Sequence, residues 1–435
     1  MTQQQLAHSV IDQLRERGRQ ALLVGGCVRD LLLGQEPKDY DVATNAPPEE
    51  ILCIFPHSGL VGAQFGVVLV RQDSAQVEVA TFRSDLRYVD GRRPEGVRFE
   101  TDPREDALRR DFTINGLFQD PASGETLDFV GGLPDLRAGI IRAIGDPLVR
   151  FQEDHLRLLR AVRFAARLRF AIEPATMAAM REMAPQIHRV AAERVRDELI
   201  RILVEGGARY GFELLDESGL LREILPEISA MKGVEQPPEF HPEGDVWTHT
   251  LMMIEGLDHP SPALAMGVLL HDVGKPVTFR IADRIRFDGH VEAGIRLAQN
   301  ILSRLRFSNA DCEQILALIQ NHMRFMDVGK MRESTLKRFI RLPKFDEHLA
   351  LHRLDVLNSN GRLEAWELLS KRYAETPEDQ LKPPLLINGN DLIEAGFKPG
   401  PRFKKILAAV EDAQLEGALS SKEEALRFAR RKFGK

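Results

Sequence analysis

The stretch LLVGGCVRDLLLGQEPKDYDVAT carries two aspartates, Asp39 and Asp41, two residues apart in a strand-like run. Residues i and i+2 of a strand face the same way, so both carboxylates point to one side and Tyr40 and Val42 to the other. Like charges that close repel unless a cation lies between them. Mg²⁺ prefers carboxylate oxygen together with phosphate oxygen, and a pair of such ions can clamp the attacking and leaving oxygens of a phosphoryl or nucleotidyl transfer. On its own, Asp-x-Asp is also the composition of a surface turn. Three neighbours add to the metal reading. Gly25 and Gly26 end a strand and open a helix, presenting backbone N–H groups to a phosphate, and Arg29 follows one turn into that helix. Glu78 interrupts the apolar run QVEVATF and faces away from Val77 and Val79, as a third carboxylate beside the pair or as part of an exposed strand face. RRDFTING sets Arg109, Arg110, Asp111 and Asn115 at a helix start, with charge for a triphosphate and hydrogen bonding for a ribose.

A second constellation lies in EDHLR. Asp154 and Arg157 are i and i+3, so on a helix they share a face. An aspartate accepts from an exocyclic amine and an arginine donates to a ring nitrogen or carbonyl. Together they complement cytosine and adenine, whereas uracil and guanine present the wrong arrangement. Read without further context, the pair is also a plain helix ion pair. A third constellation is histidine-rich: His249 on a helix, the adjacent His271 and Asp272 at a helix end, and Asp355 on a later helix. Imidazole nitrogen with carboxylate oxygen suits divalent transition metals such as Mn²⁺ or Ni²⁺.

The elements that must hold these groups divide the chain. Up to about residue 145, strand and helix signals alternate: ALLV, CVRDLLLG, KDYDVAT, PPEEILCIF, then VVLVR and QVEVATF as a hairpin. GETLDFVGGLPDLRAGIIRAI reads as turn, strand, turn, strand. Thereafter helical periodicity dominates, with Leu158, Val162, Ala165 and Leu168 on one face of FQEDHLRLLRAVRFAARLRF. The fold class is α+β: a small mixed-sheet head (1–145), a helical neck (146–232), a histidine-bearing helical domain (233–365) after the Pro-rich GVEQPPEFHPEG, and a helical tail (366–435).

This order of motifs resembles the class II tRNA nucleotidyltransferase and poly(A) polymerase family of the polymerase-β superfamily. The likeness covers LVGGCVRDLLLG…PKDYDVAT, RRDFTING, EDHLRLLRAVRFAARL and ERVRDEL. It implies that Asp39 and Asp41 bind metal with Glu78 as their partner, and that Gly25, Gly26 and Arg29 cradle the triphosphate. Asp111, Asn115 and Arg110 then hold the sugar and phosphates. Asp154 and Arg157 act as the template that selects CTP and ATP, supported by Glu153, with Arg160 a further candidate nearby. Glu193 and Arg194 are implied to brace that helix. The implied partner is tRNA and the implied head cofactor Mg²⁺. Poly(A) polymerases of the family carry a basic pair where Ala63 and Gln64 follow Gly62 here, which argues against that branch. The loop SDLRYVDGRRPEGVRFETDPRED favours addition of CCA, or of the terminal A, over CC alone. The second half resembles the HD metal-dependent phosphohydrolases, whose ligands correspond to His249, His271, Asp272 and Asp355. His290 and His322 match positions that add a second ion in some HD proteins, and Lys275 a phosphate contact. The tail turn at Gly396, Pro399, Gly400 and Pro401 offers N–H groups to RNA phosphate.

Composition sets bounds. A net charge of −6 does not by itself point to nucleic acid, since phosphate contacts depend on local Lys/Arg patches. No apolar run reaches the roughly 18–20 residues needed to span a bilayer, so no membrane is expected. Three scattered cysteines (Cys27, Cys53, Cys312) form no disulfide or zinc pattern, and a reducing cytoplasm is the simple expectation. Monomer and homodimer both stay open.

Overall fold

The computed structural model describes residues 1–61, 65–86, 96–239 and 241–434. Gly62, Ala63 and Gln64, and residues 87–95 of the loop before RRDFTING, lie outside the described residues, so the two branch arguments above are untouched by the structure. The chain forms two compact units, residues 1–229 with 303–307 and residues 230–302 with 308–435.

The first unit holds strands β1 (Ala21–Val24), β2 (Asp41–Thr44), β3 (Gly59–Leu60), β4 (Val67–Gln72), β5 (Ala75–Thr81), β6 (Arg83–Asp85), β7 (Val97–Phe99), β8 (Leu117–Gln119) and β9 (Thr126–Asp128). Seven of them make one sheet in the order β3-β4-β5-β2-β1-β8-β9. β2 and β5 pair in parallel while the other neighbours are antiparallel, so the sheet is mixed. β4 and β5 form the expected hairpin, with Asp73 at φ 53° in its turn. The amphipathic first helix, α1 (Gln3–Glu16), buries Leu6, Val10, Ile11 and Leu14 and packs on β1, β2 and β5. Each such full burial stabilises by about 1.5–3 kcal/mol. Helices α2 (Gly26–Leu32), α3 (Pro48–Ile54), α4 (Pro103–Leu108) and α5 (Gly132–Ala138) complete the head.

Four expectations change. β2 begins at Asp41, and Asp39 sits in the bend just before it, although the alternation of buried Tyr40 and Val42 against Asp39 and Asp41 holds. RRDFTING follows the end of α4 rather than opening a helix, and Thr113–Asn115 form one 3₁₀ turn. GLPDLRA is helix α5 rather than turn, because the Asp128 carboxylate accepts from the N–H groups of Val130, Gly132 and Leu133 and caps it. FQEDHLRLLRAVRFAARLRF is two helices, α6 (Pro147–Glu153) and α7 (Arg157–Leu168), with Asp154 extended between them at φ −144°, ψ 107°. The break forgoes backbone bonds worth about 1 kcal/mol each. It is offset by the Leu156 N–H donating to Asp154 Oδ1 at 3.0 Å and by Arg194 Nη2 at 2.9 Å from Asp154 Oδ2. Charged hydrogen bonds of that kind are worth about 1.5–3 kcal/mol.

The rest of the first unit is helical: α8 (Pro174–Met183), α9 (Ala192–Val204), α10 (Ala208–Glu217), α11 (Leu220–Ile224) and α12 (Pro226–Ser229), with the two-residue strands β10 (Ile140–Ile141) and β11 (Ala171–Ile172) at its start. In the second unit α13 (Val246–Glu255), α14 (Pro262–Leu270), α15 (Lys275–Thr278), α16 (His290–Arg304), α17 (Asn309–Asn321), α18 (Glu333–Ile340) and α19 (Phe345–Leu357) carry the histidine constellation. Among the described residues the stretch after residue 145, expected to be all helical, is interrupted by β11 and by a two-stranded ribbon of β12 (Arg280–Ile281) and β13 (Ile285–Arg286). The tail packs its own core around Leu392, Ile406, Val410, Ala425 and Ala429. Among the described residues no helix is long and apolar enough to cross a membrane.

Candidate active sites

The parallel pairing of β2 with β5 sets Asp41 opposite Glu78. Glu78 stands on the exposed face of β5, between buried Val77 and Val79. Burial and then the Glu78 charge push the Asp41 carboxyl up to about 6; Arg110 opposes them and Asp39 adds to them. Three acids therefore crowd together where the central strands β2 and β5 pair, at a cost that a divalent cation would relieve. Their oxygen-only donor set fits Mg²⁺.

The glycine turn faces the same region. Gly25 caps α2 at φ 76°, ψ −130°, a conformation that disfavours any side chain, and a Cβ there would meet Arg110 Nη1 at 2.9 Å. Arg29, expected to cradle phosphate, is 2% exposed and already engaged. Its Nη1 donates to Asn115 Oδ1 at 2.6 Å and its Nε to Asp30 Oδ1 at 2.8 Å. Asp30 in turn accepts from Arg167 of α7 at 2.9 Å. Asn115 Nδ2 donates to Asp111 Oδ1 at 3.0 Å, and Asp111 Oδ2 takes Nε and Nη2 of Arg160 at 2.8 and 2.6 Å. Burial alone would raise the Asp111 carboxyl, but Arg160, Asn115 and Arg157 outweigh it and hold it well below the usual range. Arg29, Asn115, Asp111 and Arg160 are thus one continuous network that ties head to neck.

The Arg157 N–H donates to the Asp154 carbonyl at 3.0 Å, but the two side chains do not bond to each other; each is held from behind. Arg194 and the Leu156 N–H fix Asp154. Glu153 Oε2 fixes Arg157 Nη1 at 2.5 Å, the Arg150 carbonyl adds a bond at 2.9 Å, and Nη2 reaches the Arg109 carbonyl at 3.2 Å. Arg194 is the brace expected of ERVRDEL, while Glu193 is exposed. A cavity of about 420 Å³ lined by Ser84, Glu105, Arg109, Arg150 and Glu153 opens beside this pair. Among the buried acids that escaped the sequence reading, two engage these arginines. Asp30 is adjacent to Arg29, and Asp106, wholly buried, takes Nε of Arg109 at 2.8 Å and Nη2 of Arg110 at 2.9 Å. The i, i+3 and i, i+4 spacing of Asp106 to those arginines was the available signal.

The histidine constellation converges. Ligand atoms of His249, His271 and Asp355 lie within 4.8 Å of one another, and so do those of Asp272, His290 and His322. Asp272 links the halves: its Oδ2 is 3.1 Å from His271 Nε2, and its Oδ1 is 3.8 and 3.9 Å from Nε2 of His290 and His322. His249 Nε2 and His271 Nε2 are buried with no hydrogen-bond partner, though Asp355 Oδ1 is 3.3 Å from the former. Buried orphan nitrogens facing carboxylates fit a cation between them. Burial lowers His249, yet Asp355 and Glu243 outweigh it and push it up to about 9, so this centre draws a proton when it lacks a metal. Burial, with His271, takes His322 down to about 4, the neutral form a ligand needs. Lys275, expected to reach phosphate, holds Asp272 Oδ2 and Gln236 Oε1, both at 2.6 Å. Beside these groups lies a cavity of about 590 Å³, with Arg284, Arg286, Met323 and Met326 on its walls. Glu243, in the stretch read as a linker, was missed. Cys27, Cys53 and Cys312 are free.

A family model of the poly A polymerase head domain matches residues 21–142, a polymerase A model for RNA and SrmB binding matches 169–232, and a model of tRNA nucleotidyltransferase domain 2 matches 292–429. The CCA-adding enzyme of Lactococcus lactis is 31% identical over 433 residues, covering 97% of this chain and 95% of the relative. That of Limosilactobacillus reuteri is 31% identical over 420 residues, covering 95% and 93%. The Bacillus stearothermophilus CCA-adding enzyme, solved in complex with CTP, superposes with a TM-score of 0.75 at 27% identity over 98% of this chain and 97% of that one. The Thermotoga maritima CCA-adding enzyme complexed with tRNA shares the fold, with a TM-score of 0.60 at 20% identity over 98% and 94%. With near-complete coverage of relatives at this identity, and a carboxylate-bearing sheet joined to a neck by one polar network, the chain belongs to the CCA-adding enzyme family of nucleotidyltransferases.

Proposed function

We propose that the head adds C and A to the 3′ end of tRNA, with CTP and ATP as donors. The observation that carries this reading is the register of Asp41 with Glu78 beside Asp39. When bound at Asp39 and Asp41, Mg²⁺ supplies charge neutralisation for the triphosphate and for the leaving pyrophosphate. The 3′-oxygen of the RNA forms a bond to the α-phosphorus as the α–β bridging bond breaks, and the Glu78 carboxylate receives the hydroxyl proton. The Gly25–Gly26 turn and Arg110 orient the phosphates. Arg29, Asn115 and Asp111 set the sugar position through their shared network, with Arg160 at its end. Asp154 accepts from the exocyclic amine of C or A and Arg157 donates to the ring, and Glu153 and Arg194 hold them in that geometry. CTP in the Bacillus stearothermophilus complex and tRNA in the Thermotoga maritima complex support these partners.

A second reading is favoured by the orphan nitrogens of His249 and His271. The cluster of His249, His271, Asp272 and Asp355, with His290 and His322 for a second ion, is a metal-dependent phosphohydrolase centre of HD type acting on phosphate esters at RNA ends. Mn²⁺ or Ni²⁺ held there supplies Lewis acidity toward phosphate, and Arg284 and Arg286 offer it charge. The two activities are separable. Asp39→Ala is expected to abolish nucleotide incorporation and leave hydrolysis intact, and unchanged incorporation in that variant contradicts the assignment of the head.

A further inference from the structure

This inference rests on the hydrolase reading of the histidine cluster. The four histidines are not held alike. Nδ1 of His271 lies 2.8 Å from the Val268 carbonyl, that of His290 3.0 Å from Phe287 O, and that of His322 2.6 Å from Ile319 O. Each acceptor is a neutral backbone oxygen three residues earlier. A carbonyl only accepts, so each Nδ1 carries a proton and each Nε2 is the nitrogen turned toward the cluster as the available metal donor. His249 differs. Its Nδ1 donates to the Glu243 carboxylate at 2.7 Å, with the Asn358 carbonyl a longer second acceptor at 3.2 Å.

Glu243 is itself buried, 5% exposed at its side chain. The same Oε1 also accepts from Nδ1 of His241 at 2.8 Å, and His241 lines the 590 Å³ cavity. One oxygen accepting two N–H groups is a brace. It accounts for the grouping of His241, Glu243 and His249 without a third ion.

A carboxylate behind an imidazole makes the far nitrogen a stronger metal donor than a carbonyl does. The His249 half also has the additional carboxylate of Asp355, whereas the His290–His322 half shares only Asp272. We infer that Glu243 is a positioning residue that makes the His249–His271–Asp355 half the tighter of two cation sites, so that this half fills first.

The test uses the full chain carrying Asp39→Ala and Asp41→Ala, so that the head takes no ion, stripped with chelator and titrated calorimetrically with Mn²⁺. Two resolved steps are expected. Glu243→Gln, which keeps the shape and removes the charge, is expected to weaken the tighter step about 10–100-fold and leave the weaker one in place. Superimposable isotherms for the two proteins overturn the inference. So do two steps of equal affinity before Glu243 is changed. If Glu243→Gln does not fold, imidazole NMR of the Zn²⁺-loaded protein decides. The His249 Nδ1 proton is expected downfield of those of His271, His290 and His322, and a resonance among theirs overturns the inference. Failure of the unaltered cluster to bind any Mn²⁺ is a different result: it removes the hydrolase reading itself.

Discussion

Asp41 stands opposite Glu78 in the parallel register of β2 with β5, and burial, then the charges of Glu78 and Asp39, lift the Asp41 carboxyl to about 6. A group raised above its unfolded value costs stability once it ionises in the fold, unless a cation arrives. Asp41→Asn is therefore expected to leave the metal-free protein as stable as before, or more so, at pH 7–8. It is also expected to lower nucleotide incorporation by at least about 10²–10³-fold. Thermal melts in chelator and single-turnover incorporation check the two halves.

The residues proposed to choose the base are held from behind. Asp154 is fixed by Arg194, and Arg157 by Glu153. A site built to hydrogen-bond its substrate discriminates by about 10⁴–10⁵, so removing one partner forfeits much of that ratio. Asp154→Ala is expected to cut the preference for CTP over UTP by at least about 10²-fold. Arg194→Ala, which frees Asp154 without deleting it, is expected to have a smaller effect in the same direction. Competition assays with the four nucleoside triphosphates measure both.

The Asp111–Arg160 pair carries an acid-stability prediction. The Asp111 carboxyl is held below its unfolded value near 3.9. Its stabilising contribution is complete above that pH and is lost as the pH falls below it. Asp111→Asn leaves Arg160, whose side chain is 32% exposed, facing a neutral amide, so the loss is expected to fall below the about 3–5 kcal/mol of a fully buried pair. The variant is expected to be less stable at pH 7 and to show a shallower further loss between pH 4 and pH 2, read by urea titration at several pH values.

The proposed hydrolase centre is expected to depend on metal independently of the head. Dialysis against a strong chelator followed by Mn²⁺ or Ni²⁺ should abolish and then restore phosphate release from a small aryl phosphate. His271→Gln or Asp272→Asn should abolish it in any metal. CTP incorporation supported by Mg²⁺ should stay within about twofold of the parent in both variants, because additivity holds for independent sites.

Much of this was legible from residue spacing. The period-two alternation of Tyr40 and Val42 against Asp39 and Asp41, and of Val77 and Val79 against Glu78, placed the carboxylates on the correct face. Histidines separated by up to 73 positions, from His249 to His322, could be grouped only through the HD likeness; the packing of α13, α14, α16, α17 and α19 is what joins them. Periodicity failed where a side chain overrode it. Asp154 stops a run whose apolar pattern continues unbroken, and Asp128 caps a helix where glycines signalled a turn. Glu243 was hidden because proline and glycine around it mark a linker, and nothing local indicates that its carboxylate reaches a helix starting at Val246. The burial of Arg29 was likewise invisible: a helical arginine after a glycine turn reads as a phosphate contact until Asp30 and Asn115 are seen to occupy it.

The most direct test of the central claim is a product-length measurement. Three tRNAs, ending before CCA, after the first C and after CC, are incubated with Mg²⁺ and with CTP, ATP or both, and resolved at single-nucleotide resolution. The account predicts growth by three, two and one nucleotides respectively when both donors are present, with CTP alone stopping at CC. No extension of any of the three, or extension with UTP and GTP as readily as with CTP and ATP, contradicts it.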